Sequence, residues 1–325
     1  MRNKAIDTTK GILVIFMVFY HAVNYFIEST SILKYFRFIL PAFIFLSGFV
    51  ISSILQKKYS GQFGLLTFKL IKKGFKLILL FTILNIVILS VFETDAYGRK
   101  IGITKFSDIF SIFINGNENS TAFPILMMIG VLYVLAPFFI KFNHHFNKMI
   151  LFLSLSLILF VTLSVHLNLA NFQIICLTYG LIGMYFGQFS EQKINQLNKY
   201  KILIILLLIF YQIILFLFQP PFIIKVFGIT VIILFFYQSD SWISSISYLR
   251  NVIYLCGRFS LIAYILHIGI LFALKRLFTS NIGEIGHFTL AVLVTLPALV
   301  LSIQLLSYLI NRSKLFNKIY KIIFV

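Results

Sequence analysis

The sequence predicts an all-α polytopic membrane protein with about ten transmembrane helices and both termini in the cytoplasm. Of its 325 residues, 60% are hydrophobic and only 11% are charged, against about 25% charged residues in an ordinary soluble domain. A chain with so few charges cannot cover a water-soluble core with polar surface, and it is too apolar to be disordered. The apolar residues form long runs instead of alternating with polar ones, which disfavours a β-barrel.

Ten apolar segments support this fold class, because a helix needs about 20 residues to cross the bilayer. They lie near residues 10–28, 38–56, 74–92, 122–141, 148–166, 172–190, 201–219, 221–238, 256–275 and 288–310. Pro220 and Pro221 separate the seventh segment from the eighth. Since proline breaks helices, a tight turn is predicted there.

The positively charged residues predict the orientation. The chain has 28 Lys and Arg against 9 Asp and Glu, a net charge of +19. If the N-terminus is cytoplasmic, 19 of the 28 lie in cytoplasmic segments and 7 in outer segments, which agrees with the enrichment of Lys and Arg in cytoplasmic loops. Because these charges lie in short loops beside the bilayer, they are expected to face anionic lipid, and no nucleic-acid binding is predicted.

A single transmembrane domain over 1–325 is predicted, because no repeat or low-complexity tail divides the chain. The longest outer segment, about 93–121, carries four carboxylates and either lines an outer substrate cleft or simply connects two spans. Cys176 and Cys256 lie within or beside apolar segments without CxxC spacing, which predicts two buried, reduced thiols. No metal site is predicted.

Two histidines are expected deep in the membrane. His21 follows Lys10 by 11 residues on the same predicted helix, which places its ring about 16 Å from the cytoplasmic boundary. His267 lies in the ninth segment at a similar predicted depth. An ionisable group there is costly and indicates a functional site, and imidazole can take a proton from an alcohol or amine. A structural histidine bonded to another helix is the alternative for both, and together the two could line one polar cavity.

Several neighbours of these histidines are candidate binding residues. Asn24 lies three residues after His21 on the same helix face, and Tyr264 lies one turn before His267. Asp7 is three residues before Lys10, where an acid suits the helix dipole and can pair with the lysine. Arg258 lies just inside the ninth segment and is expected to extend toward the cytoplasmic interface.

A cytoplasmic run of lysines has helical spacing and comprises Lys69, Lys72, Lys73 and Lys76. It either anchors the chain at the inner membrane surface or binds the phosphates of a cytosolic donor, since ammonium groups bind phosphates as point charges.

Four motifs in order resemble the integral-membrane acyltransferase superfamily, which includes the acyltransferase 3 proteins and the relatives of heparan-α-glucosaminide N-acetyltransferase. The first combines Asp7, Lys10-Gly11 and His21, with lysine at the position of the family arginine. The second is the aromatic run 40–49, which contains Ser47-Gly48. The third is Lys73-Gly74-Phe75-Lys76, again with lysines in place of arginines, and the fourth is 257–261 followed by Tyr264 and His267. The run 124–130 is similar to the heparan-type branch.

The resemblance implies transfer of an acyl group, usually acetyl from acetyl-CoA, to a carbohydrate, with His21 as the catalytic histidine. It implies that acyl-CoA is the co-substrate, that no metal is needed, and that the acceptor is a cell-envelope or exported sugar. It also implies a multi-pass protein of the plasma membrane. O- and N-acylation, and the presence of a homo-oligomer, are left open. The residues expected to bind donor or acceptor are Asp7, Lys10, Asn24, Ser47, Lys72, Lys73, Lys76, Arg258, Tyr264 and His267.

A transporter or flippase of a polysaccharide or lipid-linked sugar is the alternative hypothesis. The same buried histidines would then relay protons or contact the sugar without acyl transfer. Binding of coenzyme A by the lysine run would distinguish the two classes, because the acyltransferase is expected to bind coenzyme A and the transporter is not.

Overall fold

Every element in the described part of the computed structural model is helical, and no strand occurs there. The all-α prediction is therefore confirmed. The structure describes residues 3–27, 30–91, 123–145, 148–167, 169, 171–189, 191–218, 220–243, 246–277 and 283–324. The predicted outer loop 93–121 lies outside these residues.

Fifteen helices make up this part of the chain. They are α1 (Lys4–Phe26), α2 (Thr30–Leu33), α3 (Ile39–Val50), α4 (Phe63–Val91), α5 (Pro124–His145), α6 (Met149–His166), α7 (Phe172–Gly187), α8 (Glu191–Gln196), α9 (Lys201–Leu217), α10 (Phe222–Gln238), α11 (Asp240–Ile243), α12 (Ser247–Arg258), α13 (Ser260–Leu277), α14 (Gly283–Arg312) and α15 (Lys314–Phe324). Two 3₁₀ turns, Lys34–Phe36 and Leu197–Tyr200, and one π-helical turn, Ile51–Gln56, accompany them.

Nine of the ten predicted segments each overlap one of these helices, and the ninth in chain order overlaps the end of α12 as well as α13. Within the described residues, seven helices are long and apolar enough to cross a membrane, which confirms a polytopic membrane protein. Two further apolar helices, α6 and α7, are shorter, and α4 carries the lysine run in its first half. The count of ten spans and the cytoplasmic termini stay predictions.

The ninth segment begins later than predicted. Residues 256–258 end the separate helix α12, and the membrane-crossing helix α13 begins only at Ser260. Arg258 was expected just inside the span and instead lies at the C-terminal end of α12. A basic residue is favourable there because the helix dipole places partial negative charge at that end.

The helices divide into two compact units. The first comprises Met1–Ile39, Asn198–Gln219 and Gly228–Val325, and the second comprises Leu40–Leu197 and Pro220–Phe227. The single acyltransferase domain over 1–325 stays a prediction.

Helix α1 lies in the core of the first unit, where it packs against α12, α13 and α14. Its side chains Leu13, Val14, Val18 and Ala22 are completely buried. The backbones of α1 and α12 approach so closely that a Cβ atom on Gly257 would overlap the carbonyl oxygen of Asp7. Small residues at a helix crossing allow such contact within the membrane, so the glycine of this motif has a packing role.

Polar contacts hold the first turn of α1. Asn3 is the N-cap, accepting a hydrogen bond from the backbone N–H of Ile6, and its Nδ2 donates to the hydroxyl of Tyr237 at 3.0 Å. The hydroxyl of Thr8, which is buried, donates to the carboxylate of Asp240 at 2.5 Å. These bonds connect α1 to the C-terminal end of α10 and to α11.

In the second unit, two of the motif glycines also lie at helix crossings. A Cβ atom on Gly74 would lie 2.7 Å from the carbonyl oxygen of Gly130, where α4 packs against α5. A Cβ atom on Gly48 would overlap the carbonyl oxygen of Gly180 on α7. The Ser-Gly and Lys-Gly pairs of the sequence motifs therefore each supply a site of close helix contact.

Both cysteines are free and buried, which confirms the expected environment of the two thiols. Burial raises the pKa of the Cys256 thiol on α12 to about 11. Since the thiolate is the reactive form, this cysteine is inert at neutral pH.

Candidate active site

The rings of His21 and His267 lie together within the first unit. Their centroids are 5.2 Å apart and their planes are inclined at 50°. His21 comes from α1 and His267 from α13, so residues 246 positions apart in the chain meet where these two helices pack. Their similar predicted depth agrees with this contact.

A hydrogen bond to its own helix orients the ring of His267. Its Nδ1 lies 3.0 Å from the carbonyl oxygen of Ala263, one turn earlier on α13. A carbonyl oxygen only accepts hydrogen bonds, so Nδ1 carries the proton and Nε2 presents a lone pair. His267 is completely buried, and its Nε2 has no hydrogen-bond partner among the described residues.

His21 has a similar unmatched nitrogen. Its Nδ1 is buried and makes no hydrogen bond within the described part of the chain. Two aromatic rings lie next to the His21 ring. The ring of Tyr20 is edge-on at a centroid distance of 5.0 Å, and the centroid of the Tyr25 ring is 5.8 Å away. Leaving a buried polar atom unpaired costs about 1–3 kcal/mol, and such atoms call for a functional explanation. Two imidazoles with unpaired nitrogens at one place form a site suited to receiving a proton from a substrate.

Tyr264 adds a phenol to this group. Its ring centroid is 5.8 Å from that of His267, and the residue is buried. Asn24 follows His21 by one turn on α1 and is partly exposed. We refer to His21, His267 and Tyr264 as the histidine site.

The predicted donor-binding residues of the first unit lie along α1 and α12. Asp7 is buried in the first turn of α1, and Lys10 is half-buried one turn later. Arg258 is exposed at the end of α12, with its guanidinium carbon 5.2 Å from the ring centroid of Phe259.

The remaining predicted residues belong to the second unit. The hydroxyl of Ser47 donates to the carbonyl oxygen of Phe43 on its own helix at 2.9 Å. On α4, Lys72 is exposed, while Lys73 and Lys76 are half-buried. The ammonium of Lys73 lies 4.8 Å from the ring centroid of Tyr133 on α5, which fixes one member of the lysine run by a cation–π contact.

Sequence analysis did not identify the tyrosines beside His21 or the carbonyl group that orients His267. Tyr25 follows His21 by four residues, and Ala263 precedes His267 by four, so helical spacing was a usable signal for both. The contact between Thr8 and Asp240 had no such signal, because it joins residues 232 positions apart.

A comparison with protein families supplies the identity of this arrangement. A family model described as an acyltransferase domain, acyltransferase 3, matches residues 3–307. The chain belongs to the acyltransferase 3 family. It is therefore a membrane acyltransferase, as the resemblance of its motifs predicted. Among curated proteins and solved structures, the comparisons find no match to this chain.

The family match includes the histidine site and the lysine run, and it ends within α14. Membership in this family favours the enzyme over the transporter hypothesis. Helix α15 lies beyond the matched residues.

Proposed function

We propose that this acyltransferase moves an acyl group, most simply acetyl, from cytosolic acyl-CoA to a hydroxyl or amine of a cell-envelope or exported carbohydrate. We place the enzyme in the plasma membrane. One observation carries the proposal: the ring of His21 and the buried ring of His267 lie 5.2 Å apart on two helices that are long and apolar enough to cross the membrane.

His21 acts as the general base in the direct mechanism. Its imidazole takes the proton of the acceptor hydroxyl while that oxygen attacks the carbonyl carbon of the thioester. The carbon–sulfur bond then breaks, coenzyme A leaves as a thiolate, and the imidazolium returns the proton to the sulfur. The products are the acylated sugar and free coenzyme A.

His21 acts as the acyl carrier in the alternative mechanism. A ring nitrogen attacks the carbonyl carbon of the thioester, and coenzyme A leaves as a thiolate. The acceptor then attacks the acyl-imidazole, the carbon–nitrogen bond breaks, and the acceptor proton passes through the released imidazole to the thiolate. The two mechanisms differ in one measurable respect, because only the second labels the protein when the acceptor is absent.

His267 orients the reaction in both mechanisms. Its Nδ1–H is held by the Ala263 carbonyl group, so the lone pair on Nε2 has a defined direction. This fixed lone pair next to His21 can accept a hydrogen bond from the hydroxyl of the sugar substrate, or it can hold the His21 ring in one orientation. Tyr264, whose ring lies 5.8 Å from that of His267, supplies a hydroxyl for the same purpose.

The deciding experiment uses purified enzyme in nanodiscs with radiolabelled acetyl-CoA and a panel of sugars. Label on a sugar in a His21-dependent reaction supports the proposal and identifies the acceptor. Label on the protein without acceptor selects the acyl-carrier mechanism. Transfer that proceeds equally well in His21→Ala would overturn the assignment of this residue.

The lysines of α4 are proposed to bind the phosphates of the donor. We expect the triple variant Lys72→Gln, Lys73→Gln, Lys76→Gln to weaken coenzyme A binding at least about tenfold, since three charge-assisted contacts are lost. Isothermal titration in nanodiscs measures this Kd. The matched control neutralises three exposed lysines of α15, Lys314, Lys318 and Lys321, and should bind coenzyme A as the unmodified enzyme does. Equal affinity of the α4 variant would remove these lysines from the donor site.

Lys10 is a second place at which the donor proposal can be tested. We expect Lys10→Arg to keep at least about half of the activity and to lower KM for the donor, because a guanidinium also forms the bidentate phosphate contacts that an ammonium cannot. Steady-state kinetics at fixed acceptor measures both values. Complete loss of activity at normal expression would mean that the site requires an ammonium at this position.

A further inference from the structure

Helix α15 combines three features that none of the proposed catalytic steps uses. Its exposed lysines, Lys314, Lys318 and Lys321, are spaced at i, i+4 and i+7, so they share one helix face. A neighbouring face carries Leu315 and Ile319, which are 64% and 43% exposed. Tyr320 packs edge-on against Phe259 at a centroid distance of 5.7 Å.

The chain connection places α15 at the membrane surface. Helix α14, which is long and apolar enough to cross the bilayer, ends at Arg312, and α15 begins after a single residue, Ser313. The contact of Tyr320 with Phe259, at the junction of α12 and α13, holds the helix against the start of a second membrane-crossing helix. A short helix between such points is expected beside the headgroups.

The exposed side chains of α15 indicate which surroundings this helix contacts. Exposed leucine and isoleucine beside a row of lysines are the pattern of a helix that lies in the interface, with its apolar face in the acyl boundary and its cations at the headgroups. Within the described residues, the three lysines make no ion pair or hydrogen bond with another side chain. Their charges are therefore free to attract anionic lipid, at about 1 kcal/mol per lysine.

We propose that α15 is a membrane-surface helix that binds anionic phospholipid headgroups through Lys314, Lys318 and Lys321. Lipid binding holds the helix in the interface, with Leu315 and Ile319 in contact with the acyl chains. This surface is distinct from the histidine site and does not depend on the proposed mechanism.

Hydrogen–deuterium exchange of the whole protein in nanodiscs tests the proposal. One set contains phosphatidylcholine alone and the other contains roughly a third phosphatidylglycerol. We expect the backbone amides of 314–324 to exchange at least about tenfold more slowly in the anionic nanodiscs. The variant Lys314→Gln, Lys318→Gln, Lys321→Gln should lose this difference, whereas the α4 variant Lys72→Gln, Lys73→Gln, Lys76→Gln should keep it.

Two results would overturn the proposal. Equal exchange of α15 in neutral and anionic nanodiscs would exclude lipid charge as its ligand. Protection of α15 by coenzyme A in neutral nanodiscs would show that its lysines bind a soluble phosphate compound. All the substituted lysines of α15 are exposed, so the variant is expected to fold normally, and its melting temperature provides the check.

Discussion

Replacement of His21 by alanine is expected to lower kcat by at least about 100-fold, because the nitrogen that takes the acceptor proton is lost. The substitution should leave the protein folded in the membrane, since Nδ1 of the ring makes no hydrogen bond within the described part of the chain. Acetyl transfer by purified protein measures the rate, and the melting temperature in detergent measures the fold.

His144→Ala is the matched control for this variant. His144 is an exposed histidine near the end of α5, in the second unit. Its replacement should leave the rate within about twofold, as for a surface substitution away from the site. A normal rate in His21→Ala, with the control also normal, would contradict the catalytic assignment.

The second large effect is expected at Gly257. In Gly257→Ala, the new Cβ atom has to displace the backbone of α1 at Asp7, and overpacking of this kind costs about 1–3 kcal/mol. Since α1 also carries His21, a small shift relative to α13 should reduce kcat, because misplacement of about 1 Å can cost about 100-fold. We therefore expect a lower melting temperature together with a lower rate.

Gly269→Ala provides a control for which we expect the opposite change in melting temperature. Gly269 lies in α13, and a Cβ atom there would meet no atom within 4 Å beyond its own helix backbone in the described part of the chain. Alanine in place of glycine within a helix stabilises it by about 0.5–1 kcal/mol. If Gly257→Ala raised the melting temperature as Gly269→Ala should, the close crossing of α1 and α12 would be refuted.

The fold class followed from composition and continuity of the apolar runs, because the bilayer accepts only structures whose backbone is bonded internally. For that reason each predicted segment corresponds to a helix. The boundary between α12 and α13 was the exception. The ninth segment was predicted to begin at residue 256, but residues 256–258 end α12, which packs against α1, and α13 begins at Ser260.

The histidine site was predicted only in part. A depth was predicted for His21 from the helical rise and the position of Lys10, and a similar depth was predicted for His267 from its place in the ninth segment. The lysine run was visible for the same reason, because helical spacing brings residues three and four apart onto one face. The cation–π contact between Lys73 and Tyr133 was not visible, because it depends on the crossing of α4 and α5.

What the sequence by itself determined is the membrane class, the helices, the family and the identity of His21 and His267 as candidates. These properties depend on residue type and on spacing within one helix, which are local quantities. The tertiary structure decided that the two imidazoles meet and that the glycines beside the basic motifs lie at helix crossings. Both depend on which helices pack together and at what angle, and that is set by the side chains of several helices at once.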